Sequence, residues 1–294
     1  MSLRIQLWLI FLAPVALVAG LYAFGLTLPV PVLGRGYVLR FDLPQAGQPV
    51  DLPTIYGPED NSRPLVVIDA GHGGHDPGAS GAGFKEKNLV LGLALALKDQ
   101  LVEEGGIRVA LTREDDRFLV LGERFEIARQ LDADLFLSIH ADSAGEVTGV
   151  SGASIYTLSS GNASSEAAAR FAARENRADE INGVPLKGQS DEVSQILVEL
   201  SQRRMQGDSA QFASLILREG RGQLKFHPDA RRSAELAVLR APDVPSVLYE
   251  AGYITNPADA QRLASPEGKQ IFATVMARAI RIFFARQSGA TTGV

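Results

Sequence analysis

Val66-Val67-Ile68-Asp69-Ala70-Gly71-His72-Gly73-Gly74-His75-Asp76-Pro77-Gly78 is the stretch from which the rest of the chain is read. A β-prone run passes straight into a polar, glycine-rich loop, which is how a buried strand of an α/β sheet delivers side chains to the sheet's carboxyl edge. His72 is fixed on that loop. Further on, Glu86 in Lys85-Glu86-Lys87 opens a helix. Together they offer an imidazole and a carboxylate to one point, as a catalytic zinc requires, and a third ligand must come from elsewhere.

Outward from this stretch, strands and helices alternate. Helical spacing of apolar residues marks Asn88 to Glu103, Leu121 to Leu131, Ser164 to Glu180 and Pro266 to Ala285. Strands are expected at Leu65 to Asp69, Ile107 to Thr112, Asp134 to Asp142, Ala153 to Leu158, Ala237 to Leu239 and Ser246 to Glu250. That alternation predicts an α/β chain: one three-layer domain, with a twisted, mostly parallel or mixed sheet of about six strands flanked by helices. Two more strands end in ligand-type residues, His140 in His140-Ala141-Asp142 and Glu250 before Gly252. Loops beyond strand ends converge, so the recurrence says more than any one residue.

Composition narrows the chemistry. With 294 residues, 46% of them apolar, the chain can bury one substantial core, and a net charge of -5 gives no footprint for nucleic acid. The chain has 0 cysteines, which removes disulfides, thiolate metal sites and a cysteine nucleophile. A metal must therefore rest on His, Asp or Glu, and the only imidazoles are His72, His75, His140 and His227. The N-terminus carries Arg4 and then no charge until Arg35. Residues 1–34 read as an export segment, a cleaved signal peptide or an uncleaved anchor, and this is the chain's one expected membrane contact. The proline-rich residues 35–63 read as a linker, 64–286 as the catalytic domain and 287–294 as a polar tail.

The successive blocks Ile68 to Ala79, Lys85-Glu86-Lys87-Asn88, Thr112-Arg113, Ser138 to Asp142 and Val247 to Asn256 resemble those of the zinc-dependent N-acetylmuramoyl-L-alanine amidases, peptidoglycan enzymes of cell separation. The likeness runs from about Pro64 to Ala285 with no block missing. It implies that His72, Glu86 and His140 bind Zn2+ and that Glu250 is the catalytic carboxylate. The loop from Ser80 to Phe84 is one residue shorter than is usual in that family. Chemistry supports the roles independently: two imidazoles and a carboxylate fill three corners of a tetrahedron, the fourth is left for water, and a nearby carboxylate moves that water's proton to the leaving amide nitrogen. Asp69 or Asp142 is placed to orient a ligand histidine from behind. His75 reads as a solvent-facing loop residue, His227 as no more than a weak candidate for substrate contact, and Arg124 and Arg129 as a solvated helix face.

Residues 180–207 form an insert. Its run Asp191 to Arg204 has apolar residues at Val193, Ile196, Leu197 and Leu200, the spacing of an amphipathic helix. It resembles the regulatory helix of the latent members of the family, which a septal activator protein releases. On that reading the insert covers the zinc cleft, and Glu192 or Glu199 takes the open coordination position. The expected product is an autoinhibited periplasmic hydrolase of the bond between N-acetylmuramic acid and L-alanine. A non-catalytic cell-wall binding module on the same fold, or a zinc peptidase acting on peptidoglycan crosslinks, remains as an alternative.

Overall fold

The computed structural model describes residues 52–145, 149–159, 163–177 and 192–291, with the backbone alone for residues 192–203 and 289–291. The export segment and most of the linker lie outside these residues. Contacts divide the chain after Pro44, and everything described belongs to the second unit, Gln45–Val294. No helix among the described residues is long and apolar enough to cross a membrane.

In chain order the elements are β1 (Ile55–Tyr56), β2 (Leu65–Ala70), β3 (Ser80–Gly81), β4 (Phe84–Lys85), α1 (Glu86–Glu104), β5 (Arg108–Leu111), α2 (Leu121–Gln130), β6 (Leu135–Asp142), β7 (Ala153–Leu158), α3 (Glu166–Glu175), α4 (Glu192–Glu219), β8 (Phe226–Ala234), β9 (Ser246–Tyr253), α5 (Pro257–Ala264) and α6 (Pro266–Thr291). One sheet takes seven strands in the order β1-β5-β2-β6-β9-β7-β8. The central strands β5, β2, β6 and β9 are mutually parallel, β7 joins β9 antiparallel, and β3 with β4 forms a separate hairpin.

Period-two alternation sorts the side chains to two faces. Val66, Ile68 and Ala70 of β2, with Leu137 and Ile139 of β6 and Tyr249 of β9, meet α1, α4 and α6 in the larger core. Leu65, Val67, Phe136 and Leu248 face α2 and α3 in the smaller one. The same alternation puts Asp69, Ser138, His140 and Glu250 on the α2/α3 face, near the carboxyl ends of β2, β6 and β9. Glu86 arrives from elsewhere, as the first residue of α1 just past the β3–β4 hairpin, where a carboxylate meets the positive end of the helix dipole.

Two expectations are corrected. Residues Ala237–Leu239 form a single 3-10 turn, because Leu236, Val238 and Leu239 all pack inward against α2 without a ladder partner. The strand at that edge is β8, whose polar sequence Phe226–Ala234 hides its period because it lies at the sheet edge and is half exposed. The insert helix is also longer than expected: Glu192–Glu219 runs as one helix, with no break before Asp208.

Candidate metal centre and active site

The loop after β2 is bent by sterics. His72 has φ 57°, a left-handed conformation uncommon for a side chain with a Cβ. A Cβ on Gly71 would stand 2.4 Å from the His140 ring, so this position must be glycine for the loop to pass over β6. The strained turn is pinned by two buried guanidinium groups. Arg124 donates to the carbonyls of Ala70 (3.0 Å) and His72 (2.9 Å), and Arg113 to those of Ala70 and Gly71 (both 2.8 Å). Arg124 is therefore no solvated residue; it points inward from α2 and ion-pairs with Asp69 at 3.0 Å. Arg129, one turn further along, pairs with Glu126 and Asp243 at the rim.

The expected ligands are brought together. His72, Glu86 and His140 each offer an atom within 4.8 Å of the others. Glu86 Oε1 lies 3.1 Å from His72 Nε2 and 3.1 Å from His140 Nδ1, close to the roughly 3.4 Å that separates ligands held about 2.1 Å from a tetrahedral ion. The shortened loop does not displace Glu86, because two backbone N–H groups fix its carboxylate: Ala79 donates to Oε2 at 2.7 Å and Ala141 to Oε1 at 2.9 Å.

His72 Nδ1 donates to Asp76 Oδ2 at 2.7 Å, which leaves Nε2 as the atom turned to the cluster. Asp76 thus orients His72, the part expected of Asp69 or Asp142. Asp69 is instead fully buried among Thr112 Oγ1 (2.7 Å), Ser138 Oγ (2.6 Å) and Arg124, and Asp142 accepts from Arg174 at 2.7 Å.

A fourth group enters that sequence reasoning missed. Glu175, the last residue of α3, puts Oε2 3.5 Å from His72 Nε2 and 3.4 Å from His140 Nδ1. Its helix is held down by Arg174, which bridges Asp142 and Glu175 itself. The side chains of Glu192 and Glu199 lie outside the described residues. Nothing in the local sequence separates Glu175 from an ordinary helix-surface carboxylate; only the packing of α3 over the sheet does.

Charge shows what the cluster lacks. Burial alone would push the His72 imidazole down, yet the carboxylates of Glu86, Asp76 and Glu175 hold it well above its ordinary range. Burial works against the Glu86 carboxylate too, but the two imidazoles keep it well below the usual carboxylate range. His72 Nε2, although buried, has no hydrogen-bond partner among the described residues. Two imidazoles among carboxylates, with no sulfur present, form a donor set suited to a divalent borderline metal, and a cation there meets the same field that otherwise protonates His72.

Glu250 sits beside this cluster, in register with His140 on the neighbouring parallel strand. It is 2% exposed, and among the described residues neither carboxylate oxygen has a hydrogen-bond partner. Burial, reinforced by the negative fields of Asp142, Glu86 and Glu175, raises it well above an ordinary carboxylate and so toward a proton-carrying role. His75 is exposed and stacks on Phe118 at 4.3 Å, while His227 stands at the β8 edge, 6.2 Å from the Tyr253 ring.

Comparison with known proteins agrees with this geometry. Residues 66–281 match the model of the N-acetylmuramoyl-L-alanine amidase family Amidase_3. The chain is 39% identical over 221 residues to N-acetylmuramoyl-L-alanine amidase AmiA of Escherichia coli, covering 75% of this chain and 76% of that one. It is also 39% identical over 204 residues to AmiC of Neisseria meningitidis, covering 69% of this chain but 48% of that longer protein. Among solved structures, N-acetylmuramoyl-L-alanine amidase AmiC2 of Nostoc punctiforme superposes with a TM-score of 0.54 at 29% identity, over 76% of this chain and 97% of that one. The chain belongs to the N-acetylmuramoyl-L-alanine amidase family.

Proposed function

We propose that this chain hydrolyses the amide between the lactyl group of N-acetylmuramic acid and L-alanine in peptidoglycan, with zinc held by His72, Glu86 and His140 and with Glu250 moving the proton. The amidase activity and its peptidoglycan substrate follow from family membership; the metal, the residue roles and the regulation are the finer part. The observation that carries the reading is the convergence of three ligand atoms beside a buried carboxylate with no partner of its own. Zinc, when bound, supplies Lewis acidity that acidifies water and polarises an amide carbonyl. Glu250 takes a proton from the attacking water and passes it to the departing nitrogen, a transfer its raised affinity for protons favours. Asp76 keeps His72 in one tautomer, and the backbone N–H groups of Ala79 and Ala141 hold the Glu86 carboxylate in place.

Latency belongs to the same proposal, with α3 carrying it. Glu175 competes with substrate for the space between the two imidazoles, and a septal activator protein engaging residues 180–207 lifts α3 away. Residues 1–34 export the chain to the periplasm. The deciding experiment is metal analysis of the purified chain, paired with digestion of isolated sacculi by wild type and by Glu250→Gln. Free glycan plus intact stem peptides from the wild type alone supports the reading; cut crosslinks with uncut lactyl amides defeat it. Glu175→Ala and deletion of residues 184–206 should each raise basal digestion. Unchanged basal rates in both folded variants end the latency proposal.

A further inference from the structure

Arg232 on β8 is 8% exposed, and among the described residues no carboxylate lies within ion-pairing distance of it. Its partners are all neutral. Nε donates to the Asp229 carbonyl at 2.8 Å, Nη1 to the Tyr156 hydroxyl at 2.9 Å and Nη2 to His227 Nδ1 at 3.0 Å, with the Tyr253 hydroxyl a further neighbour. His227 is locked in its acceptor role, because the Asp229 N–H also donates to Nδ1, at 3.0 Å. A guanidinium has five N–H donors. Burying one without an anion is costly; of the other deeply buried arginines, Arg124 has Asp69, and Arg113 is held by four main-chain carbonyls, those of Ala70, Gly71, Asp115 and Lys87, where Arg232 has only that of Asp229.

The position of this cation gives it a use. Register pairs His140 with Glu250, Glu250 with Ser154, Leu248 with Tyr156, and Tyr156 with Arg232. All four strands present these side chains to the face under α3. A polar row therefore crosses the sheet from the ligand cluster to the β8 edge, and Ser154 Oγ within it is buried and, like Glu250, without a hydrogen-bond partner among the described residues. Arg232 stands two strands from Glu250 and, by the register, level with Leu248, so the backbones are roughly 12 Å apart at about 4.8 Å per strand and about 3.4 Å per residue. An extended peptide covers roughly 7 Å in two residues, and the side chains close the remainder. The hydroxyls of Tyr156 and Tyr253, which contact Arg232, lie in the fields of Glu250 and Asp142.

We infer that Arg232, framed by Tyr156, His227 and Tyr253, is the carboxylate subsite of the cleft: it receives the α-carboxylate of the acidic residue that follows L-alanine in the stem peptide. This rests on the amidase reading and adds to it a substrate determinant on the peptide side of the scissile bond. The helix that sets Glu175 at the ligand cluster also roofs the subsite, since Phe171 of α3 stacks on Tyr156 at 4.4 Å. One displacement of α3 opens both.

The test compares two probes, N-acetylmuramoyl-L-alanyl-D-isoglutamate and the corresponding D-isoglutamine compound, with the γ-carboxyl blocked as a methylamide in both. They differ only in the α-carboxylate. The zinc-loaded Glu175→Ala chain, freed of the latent contact, should cleave the carboxylate probe with a kcat/KM roughly tenfold to a hundredfold higher, the range of a charge-assisted hydrogen-bonded pair. In that background Arg232→Gln should cut the two equally, and Arg232→Lys should keep part of the preference. A merely structural role for Arg232 would lower both rates together and leave their ratio unchanged. Equal cleavage by the Glu175→Ala chain, or a ratio retained once Arg232→Gln is added, overturns the subsite. Cleavage of neither probe by the Glu175→Ala chain overturns the amidase reading instead. The subsite is then decided by calorimetry of both probes with the Glu175→Ala, Glu250→Gln chain, where equal or absent binding overturns it.

Discussion

Two carboxylates on one face of the sheet, Asp69 and Glu250, are equally buried and chemically opposite. Asp69 is surrounded by Thr112, Ser138 and Arg124, and these partners outweigh the burial that opposes its charge, holding it below its ordinary range. Glu250, two strands away, has no hydrogen-bond partner on either oxygen among the described residues and is raised. A fold that satisfies one buried acid so completely could have satisfied the other. The difference separates a residue that fixes the His72 loop, through Arg124, from the one to which we assign the proton transfer.

The sharpest way to break that comparison is to remove each acid in turn. Glu250→Gln should lower hydrolysis of sacculi by roughly 10²–10⁴-fold, the usual worth of a positioned general base, with zinc content and Tm unchanged. A loss of folding instead would make Glu250 a structural acid like Asp69. Asp69→Ala should do the reverse: it strands Arg124 without an anion and should cost about 3–5 kcal/mol in urea unfolding. Unaltered stability there would mean that the Arg124 carbonyl contacts suffice alone.

Metal provides a smaller and more selective probe. Zinc at about one hundred times its Kd should stabilise the chelator-treated chain by about 2.7 kcal/mol, an increment that His140→Ala should erase. The smallest expected effect is in pH. In the metal-free chain Glu250 has a folded pKa above its unfolded value of about 4.3, so its contribution is complete at low pH and is lost as pH rises toward the folded value. Relative to Glu250→Gln, the metal-free wild type should lose about 1.4 kcal/mol for each pH unit in which only its unfolded form is ionised. Asp69, with a lowered folded pKa, contributes above about 3.9 and loses that contribution as pH falls. Parallel urea titrations of the two wild-type/variant pairs should therefore slope in different windows and opposite senses: the Glu250 pair loses stability as pH rises above about 4.3, the Asp69 pair as pH falls below about 3.9.

Much of this was legible before any fold was known. Strand periodicity gives β2, β6 and β9, and the ligand-type residues at their ends give His72, His140 and Glu250, because alternation and strand termination are local properties of the chain. Glu86 follows from its place at a helix start. Residues whose role depends on what packs over them were not legible. Arg124 shares the buried stripe of α2 with Leu121, Ile127 and Ala128, a spacing that offered a signal, but only the approach of α2 to the β2 loop gives its guanidinium the carbonyls of Ala70 and His72. Asp76 was overlooked beside more prominent neighbours, although its spacing of four residues from His72 offered a signal. Glu175 and Arg232 are ordinary charges in sequence.

The amino-acid order by itself therefore determined the layered α/β plan, the oxygen and nitrogen donor set forced by the lack of cysteine, and the identity of the residues that can hold a metal. Tertiary structure alone decided which buried charges are matched and which are left waiting. Matching depends on side chains brought together from residues more than 50 positions apart, as with Asp69 and Arg124 or Glu86 and His140, and no local pattern encodes it.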